Sequence, residues 1–166
     1  LNKLVVQVLD FAKLKKPNLA RFSLNDLIRK ITELFKLETK NKHIKFNLEL
    51  SPDIFQIQAD EDQIRQILMN VIINAIQAIP KKGEIKIKTE KALLKGEPAI
   101  KLIIKDSGIG IIEKDFNQIF DPFFSTKEQG SGLGLSTVYK LVEAHQGEIK
   151  VESKEGKGTK FVIFLP

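Results

Sequence analysis

The chain of 166 residues is 42% hydrophobic and has a formal net charge of +6, which is enough length and apolar content for one domain with a buried core. It contains no cysteine, which excludes disulfide bonds, thiolate metal sites and a cysteine nucleophile and fits a reducing compartment. No apolar run approaches the length of a membrane span and no signal-peptide pattern occurs, while the start at Leu1 instead of methionine indicates a piece of a longer protein.

The positive charge is spread along the chain. The lysines do not cluster, and aromatic residues do not alternate with basic runs, so the pattern disfavours nucleic-acid binding. A lysine-rich solvated surface explains the charge, and a field that attracts a polyphosphate is the functional alternative.

The first third of the chain predicts two helices and a strand. Apolar residues recur with a helical period over 1–14, and 15–22 is predicted to be a linker because Pro17 breaks that pattern. A second helix is predicted from an N-cap at Ser23 to about Lys40, and residues 43–50 alternate as a strand does. The residues of this helix expected to face inward are Leu24, Leu27, Ile28, Ile31, Leu34, Phe35 and Leu37.

The remaining elements indicate an α+β fold. Strands are mixed with helices without a regular βαβ alternation, which favours a mostly antiparallel sheet covered by helices on one face. The predicted elements are strands at 55–59, 84–90, 99–105, 148–153 and 159–165 and helices at 61–79 and 133–146.

The helix predicted over 61–79 carries a stripe of neutral amides. Gln63, Gln66, Asn70, Asn74 and Gln77 fall on one face, opposite the apolar residues. An ordinary solvated face is the plain explanation, but this chain uses charged residues freely on its surfaces, and asparagine is a poor helix former. Asn70 and Asn74 can point at a common target, and their carbonyl oxygens suit Mg²⁺.

An acidic glycine turn follows the buried run Leu102 to Ile104. Asp106 at the strand end can accept a hydrogen bond from the exocyclic amine of adenine and would reject the carbonyl of guanine. Gly108 and Gly110 let the backbone turn and approach a ring closely. Taken alone, a simple turn is the better explanation of this segment.

A long connection over about 111–131 leads to a second glycine run. Its phenylalanines are expected to pin parts of the loop, and Lys127 can meet phosphates as a point charge. Gly132 and Gly134 open a helix whose free N–H groups form an anion site, although a flexible surface loop is the plain alternative. Patterns of the P-loop, Rossmann and protein-kinase types are absent from the sequence.

These segments, taken in order, resemble the catalytic, ATP-binding domain of two-component sensor histidine kinases, part of the wider class of Bergerat-fold ATPases and kinases. The similarity covers about residues 20–166. The segments similar to the N, G1, F, G2 and last glycine boxes are 66–75, 106–110, 119–127, 130–136 and 156–159.

The resemblance implies a domain organisation and a set of roles. It implies a two-layer α/β sandwich at 23–166 with a flexible ATP lid at about 111–131, preceded by the end of a dimerisation and phosphoacceptor helix at 1–14 and a linker at 15–22. Asn74 would hold Mg²⁺ with help from Asn70, and Asp106 would bind the adenine amine with help from Thr159 through water. Asn70 and Lys127 are the expected catalytic residues. The expected ATP-binding residues are Asn70, Asn74, Ala78, Asp106, Gly108, Gly110, Lys127, Gly130, Ser131, Gly132, Leu133, Gly134, Leu135 and Thr159.

The function implied is transfer of the γ-phosphate of Mg-ATP to a histidine on a dimerisation domain outside this chain, for relay to an aspartate of a response regulator. The resemblance also implies a homodimeric parent, a cytoplasmic location, and no nucleic-acid or membrane contact by this part. Related ATPases of the gyrase, chaperone and mismatch-repair types carry Glu where Asn70 stands, and many kinase relatives carry Lys where Gln77 stands. A degenerate nucleotide-binding module and an anti-sigma-type serine kinase are the alternatives.

The two histidines of the chain have settings unlike a phosphoacceptor. His43 begins a predicted strand, and His145 lies near a helix end without the surrounding residues usual in the acceptor helix. We expect both to be structural, so that this chain binds ATP without phosphorylating itself.

Overall fold

The computed structural model describes residues 15–54, 56–127 and 130–166, so the helix predicted over 1–14 lies outside the described residues. The chain forms two layers, one of strands and one of helices. The elements are β1 (Ala20–Phe22), α1 (Leu24–Leu34), α2 (Lys36–Asn41), β2 (Ile44–Leu50), β3 (Ile57–Ala59), α3 (Glu61–Ala78), β4 (Gly83–Leu94), β5 (Glu97–Asp106), a 3₁₀ helix (Glu113–Gln118), α4 (Gly134–Ala144), β6 (Glu148–Lys154) and β7 (Gly158–Leu165).

Five strands form the main sheet in the order β2-β4-β5-β7-β6. Only β2 and β4 are parallel, with Ile44 opposite Gly83, and the other neighbours are antiparallel. The predicted α+β class and the mostly antiparallel sheet are therefore confirmed. The strands predicted at 148–153 and 159–165 are β6 and β7, which pair antiparallel as a hairpin, and β4 and β5 are longer than the predicted strands.

The core lies between one face of the sheet and the helices. Side chains alternate along each strand, so Ile85 and Ile87 of β4, Leu102 and Ile104 of β5 and Ile163 of β7 all point inward and are buried. α3 packs against β4, β5 and β7, while α4 packs against β6, β7 and α3. The buried residues of α3 are Ile64, Ile67, Leu68, Val71, Ile72, Ala75 and Ile76.

The single helix predicted from Ser23 to Lys40 is wrong, because the chain turns at Phe35 (φ −90°, ψ 1°) and splits it into α1 and α2. Ser23 does act as the N-cap, and its side chain accepts from the Asp26 N–H at 3.2 Å. Phe35 packs against the core, and the turn directs Leu34 and Leu37 into solvent, where they are 72% and 74% exposed instead of buried.

The segment predicted to be a linker also contains structure. Residues 20–22 form β1, which pairs antiparallel with β3. Asp60 joins this region to α3, because its Oδ1 caps the Gln63 N–H at 3.1 Å and its Oδ2 accepts from the Asn18 N–H at 2.8 Å. The end of the linker is thus attached to the first turn of the helix that carries the amide stripe.

Across the described part of the chain, no helix combines the length and the apolar character needed to cross a bilayer.

Candidate functional site

A cavity of about 1000 Å³ opens between α3, the glycine turn after β5 and the loop that leads into α4. It brings together all the expected ATP-binding residues except Gly108, which lies against Ala78 at the edge of the cavity. The expected residues that line it are Asn70, Asn74, Ala78, Asp106, Gly110, Lys127, Gly130, Ser131, Gly132, Leu133, Gly134, Leu135 and Thr159.

The floor of the cavity is the amide face of α3. Residues three and four apart share one side of a helix, so this face stays polar while the apolar positions pack in the core. Gln63, predicted in the same stripe, does not reach the cavity. Its Nε2 donates to the Lys15 carbonyl at 3.0 Å, and its buried Oε1 has no hydrogen-bond partner among the described residues. The amides that line the cavity are Gln66, Asn70, Asn74 and Gln77.

Asp106 is the buried acid of the site, with only 3% of its surface exposed. Its Oδ1 accepts from the backbone N–H groups of Gly108 at 2.8 Å and Thr159 at 3.3 Å. Burial raises the pKa of Asp106, and these two donors and the charge of Lys127 oppose that shift. Within the described ranges Oδ2 has no hydrogen-bond partner, so it can accept from an amine in the cavity.

The glycine turn is fixed by close backbone contacts. A Cβ added to Gly108 would lie 2.5 Å from the Ala78 carbonyl oxygen, and the same oxygen accepts from the Ile109 N–H at 2.9 Å. Gly110 has φ +72°, a conformation that favours glycine, and its Cα approaches the backbone of Lys154 closely. The turn is therefore held between the end of α3 and the β6–β7 hairpin.

The hairpin supports Asp106 through a serine that the sequence analysis did not single out. Ser153 lies opposite Thr159 in the strand register, and their hydroxyl oxygens are 2.9 Å apart. The Ser153 hydroxyl also donates to the Gly158 carbonyl at 3.0 Å and accepts from the Ile111 N–H at 2.9 Å. The alternation of β6 and β7 was the signal that could have identified this pair.

The lid is only partly pinned by its phenylalanines. The ring centroids of Phe120 and Tyr139 are 5.5 Å apart, so this part of the loop contacts α4. Phe123 does not anchor the loop as expected, because it is 63% exposed and has φ +68°. Its N–H instead donates to the Gly132 carbonyl at 3.0 Å, and a Cβ on Gly132 would lie 2.6 Å from the Phe123 Cα. Backbone contact between the middle of the lid and the residue that follows it therefore shapes this loop.

Lys127 extends from the lid to the amide face. Its ammonium donates to Gln77 Oε1 at 2.7 Å and to Asn74 Oδ1 at 3.2 Å. Exclusion of water by the surrounding groups lowers the pKa of Lys127, and the positive charge of Lys42 lowers it further. The negative charge of Asp106 opposes this shift. The cavity thus has a buried acid at one end and a lid cation at the other.

The N-terminus of α4 faces the same amides. A Cβ placed on Gly134 would lie 3.9 Å from Asn70 Oδ1 and from Asn74 Nδ2. Leu133 anchors this end, since it is buried and its carbonyl accepts from the Thr137 hydroxyl at 2.6 Å. The first N–H groups of a helix have no acceptor within the helix and lie at its positive end, so this helix end suits an anion.

An adenine nucleotide with a divalent metal fits this arrangement. Asn70 and Asn74 offer the carbonyl oxygens that Mg²⁺ accepts, and Mg²⁺ usually completes its shell with water and phosphate oxygens. Among residues 15–54, 56–127 and 130–166 no three His, Cys, Asp or Glu side chains come together as metal ligands. A metal held on α3 would therefore share the oxygens of a phosphate bound at α4.

Comparison with known proteins agrees with the geometry. Residues 59–166 match the family model described as histidine kinase-, DNA gyrase B- and HSP90-like ATPase. Sensor histidine kinase ZraS of Salmonella typhimurium is 36% identical over 166 residues, which cover 100% of this chain and 35% of ZraS. The chain therefore spans about a third of the length of this curated relative.

Solved structures of histidine kinases have the same fold. The nucleotide-free catalytic domain of histidine kinase ThkA superimposes with a TM-score of 0.79 at 35% identity, covering 90% of this chain and 95% of that domain. The structure of ThkA in complex with the response regulator protein TrrA gives a TM-score of 0.81 at 31% identity, covering 98% of this chain and 46% of that chain. The structure of full-length ShkA in complex with AMPPNP gives a TM-score of 0.86 at 30% identity, covering 98% of this chain and 35% of that chain.

Proposed function

The chain belongs to the family of histidine kinase-, DNA gyrase B- and HSP90-like ATPases, and on that premise we propose that it is the ATP-binding catalytic domain of a sensor histidine kinase. The observation that carries the proposal is a single cavity with a buried carboxylate, Asp106, at one end and the amides of Asn70 and Asn74 at the other. The ZraS and ThkA relatives, both named histidine kinases, support it.

Asp106 selects adenine. Its Oδ2 accepts a hydrogen bond from the N6 amine, while Oδ1 stays engaged by the Gly108 and Thr159 N–H groups and keeps the carboxylate oriented. A guanine carbonyl at the same position would face a second acceptor and bind poorly. The Thr159 hydroxyl, held by Ser153, assists through a water molecule.

The triphosphate lies between α3 and α4. The N–H groups at Gly132 to Leu135 donate to its oxygens, and Lys127 contributes a positive charge from the lid. Asn74, assisted by Asn70, holds Mg²⁺, which when bound supplies neutralising charge to the phosphates. These residues position the γ-phosphate, which is most of what a protein does in phosphoryl transfer.

Asn70 favours transfer over hydrolysis. A carboxamide has no useful basicity and does not activate a water molecule, whereas the related ATPases have Glu at this place. ATP in the cavity is thus kept for an acceptor outside the chain. We place the domain in the cytoplasm, where ATP is available, and take the phosphoacceptor histidine of the same protein and a response regulator as its partners in a homodimeric parent.

The two histidines of the chain lie outside the cavity. His145 Nε2 accepts from the Asp60 N–H at 3.1 Å, and its Nδ1, 2.8 Å from the Leu141 carbonyl, carries the proton. His43 lies in a turn with φ +53°, and its N–H donates to the Lys40 carbonyl at 3.1 Å. The His145 ring is therefore not available as the acceptor, and His43, which is exposed, lies on the turn into β2 and outside the cavity.

Incubation with ATP labelled in the γ-phosphate tests the proposal. The fragment alone is expected to stay unlabelled at His43 and His145, and label is expected to move to a separately supplied phosphoacceptor domain. The matched control is Asn74→Ala, which removes the metal ligand and should abolish transfer. Strong label on either histidine, or no transfer despite tight ATP binding, would contradict the kinase assignment and favour self-modification or a binding module without chemistry.

A further inference from the structure

The contact between Lys127 and the last turn of α3 joins the lid to the body of the domain. The ammonium donates to Gln77 Oε1 at 2.7 Å and to Asn74 Oδ1 at 3.2 Å, across 50 and 53 residues of sequence. The two amides are three residues apart and therefore share one face of the helix. One lid side chain thus spans the phosphate end of the cavity.

The site suits a cation for two physical reasons. The carbonyl end of a helix carries partial negative charge, and α3 ends at Ala78, one residue after Gln77. Asp106 attracts the same ammonium from across the cavity. Lys42 is the nearby like charge, and its own ammonium is directed to the Ile76 carbonyl at 3.3 Å.

Gln77 decides which element supplies that cation. A lysine at this position, as in many kinase relatives, would place a second positive charge within hydrogen-bond distance of Lys127 and repel it. The neutral Gln77 side chain instead accepts a hydrogen bond from the Lys127 ammonium. We infer that Gln77 is a positioning residue that docks the lid lysine Lys127 at the phosphate end of the cavity, an inference that rests on the proposed function.

One of the two oxygens that bind the Lys127 ammonium, Asn74 Oδ1, is also the proposed metal ligand. An ammonium and a divalent cation cannot both occupy Asn74 Oδ1, because their charges repel strongly at such a distance. Lys127 therefore gives up the longer contact with Asn74 when that oxygen binds the metal and keeps the shorter one with Gln77. In this chain the phosphate-binding cation arrives with the lid, so nucleotide binding and lid position are coupled.

Hydrogen exchange without nucleotide tests the docking itself. Gln77→Ala should speed exchange of the lid amides, such as those of Phe123 and Gly130, by about tenfold, because one charge-assisted hydrogen bond closing the lid is lost. Lys127→Ala should do the same, and Gln118→Ala, an exposed lid glutamine, should change nothing. Unchanged lid exchange in Gln77→Ala and Lys127→Ala would overturn the inference.

Calorimetry with Mg·AMPPNP, an ATP analogue that cannot transfer its γ-phosphate, tests the positioning role. Lys127→Ala should weaken binding about tenfold, and adding Gln77→Ala should weaken it no further. Adding Gln77→Lys should restore it, because the cation then returns on α3. Additive losses, or no rescue by Gln77→Lys, would refute the positioning role. If the unchanged protein does not bind Mg·AMPPNP, the proposed function fails, while the exchange experiment still decides the docking.

Discussion

Exchanging the buried carboxylate for an amide should change which base the cavity accepts. In Asp106→Asn the side-chain oxygen can still accept from the Gly108 and Thr159 N–H groups, so the turn keeps its shape. The amide NH₂ then takes the place of Oδ2, so that two hydrogen-bond donors, this NH₂ and the adenine amine, face each other without an acceptor. A hydrogen bond to a charged group contributes about 1.5 to 3 kcal/mol, and its loss should weaken adenine-nucleotide binding about ten- to a hundredfold.

The assay is calorimetric titration with Mg·ADP and Mg·IDP, since inosine has a carbonyl where adenosine has the amine. Wild-type protein should prefer ADP, and Asp106→Asn should lose that preference or reverse it. Asp53→Asn, on an exposed turn outside the cavity, is the matched control. An unchanged ratio of the two affinities in Asp106→Asn would refute the assignment of this residue to the base.

The same variant has a stability signature that separates base recognition from misfolding. Burial raises the pKa of Asp106 in the folded state, so ionisation costs stability as pH rises through that value, and the cost is absent below the unfolded pKa of about 4. Asp106→Asn removes the cost. The nucleotide-free variant should therefore be at least as stable as wild type to urea at pH 7, with any gain vanishing towards pH 4. Lower stability of the variant at pH 7 would contradict this account.

Two further substitutions test the scaffold. Gly108→Ala should abolish nucleotide binding, because its Cβ would lie 2.5 Å from the Ala78 carbonyl oxygen. Gly96→Ala, which has nothing within 4 Å but a φ of +88°, should lose some stability to backbone strain and still bind normally in the same titration. Thr89→Val should lower the free energy of unfolding by about 1 to 3 kcal/mol in urea, because the Thr89 hydroxyl donates to Asn25 Oδ1 at 3.0 Å and that buried oxygen would lose this donor. Equal binding by the two alanine variants, or an unchanged urea midpoint in Thr89→Val, would contradict these assignments.

The periodicity of apolar residues in the sequence predicted the helices and strands whose formation depends mainly on neighbouring residues. The 3.6-residue period located α3 within one residue of its end, and the same period placed Asn70 and Asn74 on one face. Alternation located the strands of the main sheet, though β4 and β5 extend beyond their predicted ends because each continues to pair with the other.

Features that depend on tertiary contact were not predictable in this way. The turn at Phe35 interrupts a good helical pattern because that ring packs against the core. The strand at 20–22 exists only because β3 offers a pairing edge. The contact of Lys127 with Gln77 joins segments far apart in sequence, and no local pattern reports such a pairing. The order of the motifs in the sequence indicated which residues form the site, but the contacts between them are set by the tertiary structure.

The most direct test of the central claim is to titrate ¹⁵N-labelled protein with Mg·ADP and follow its amide signals by NMR. Saturable shifts are expected at 106–110, at 130–135, at Thr159 and in the side-chain amides of Asn70 and Asn74, with much smaller shifts from Mg·GDP at equal concentration. Shifts confined to residues outside the cavity, or equal shifts with both nucleotides, would contradict a cavity built for adenine at Asp106 and for metal-bound phosphates at α3.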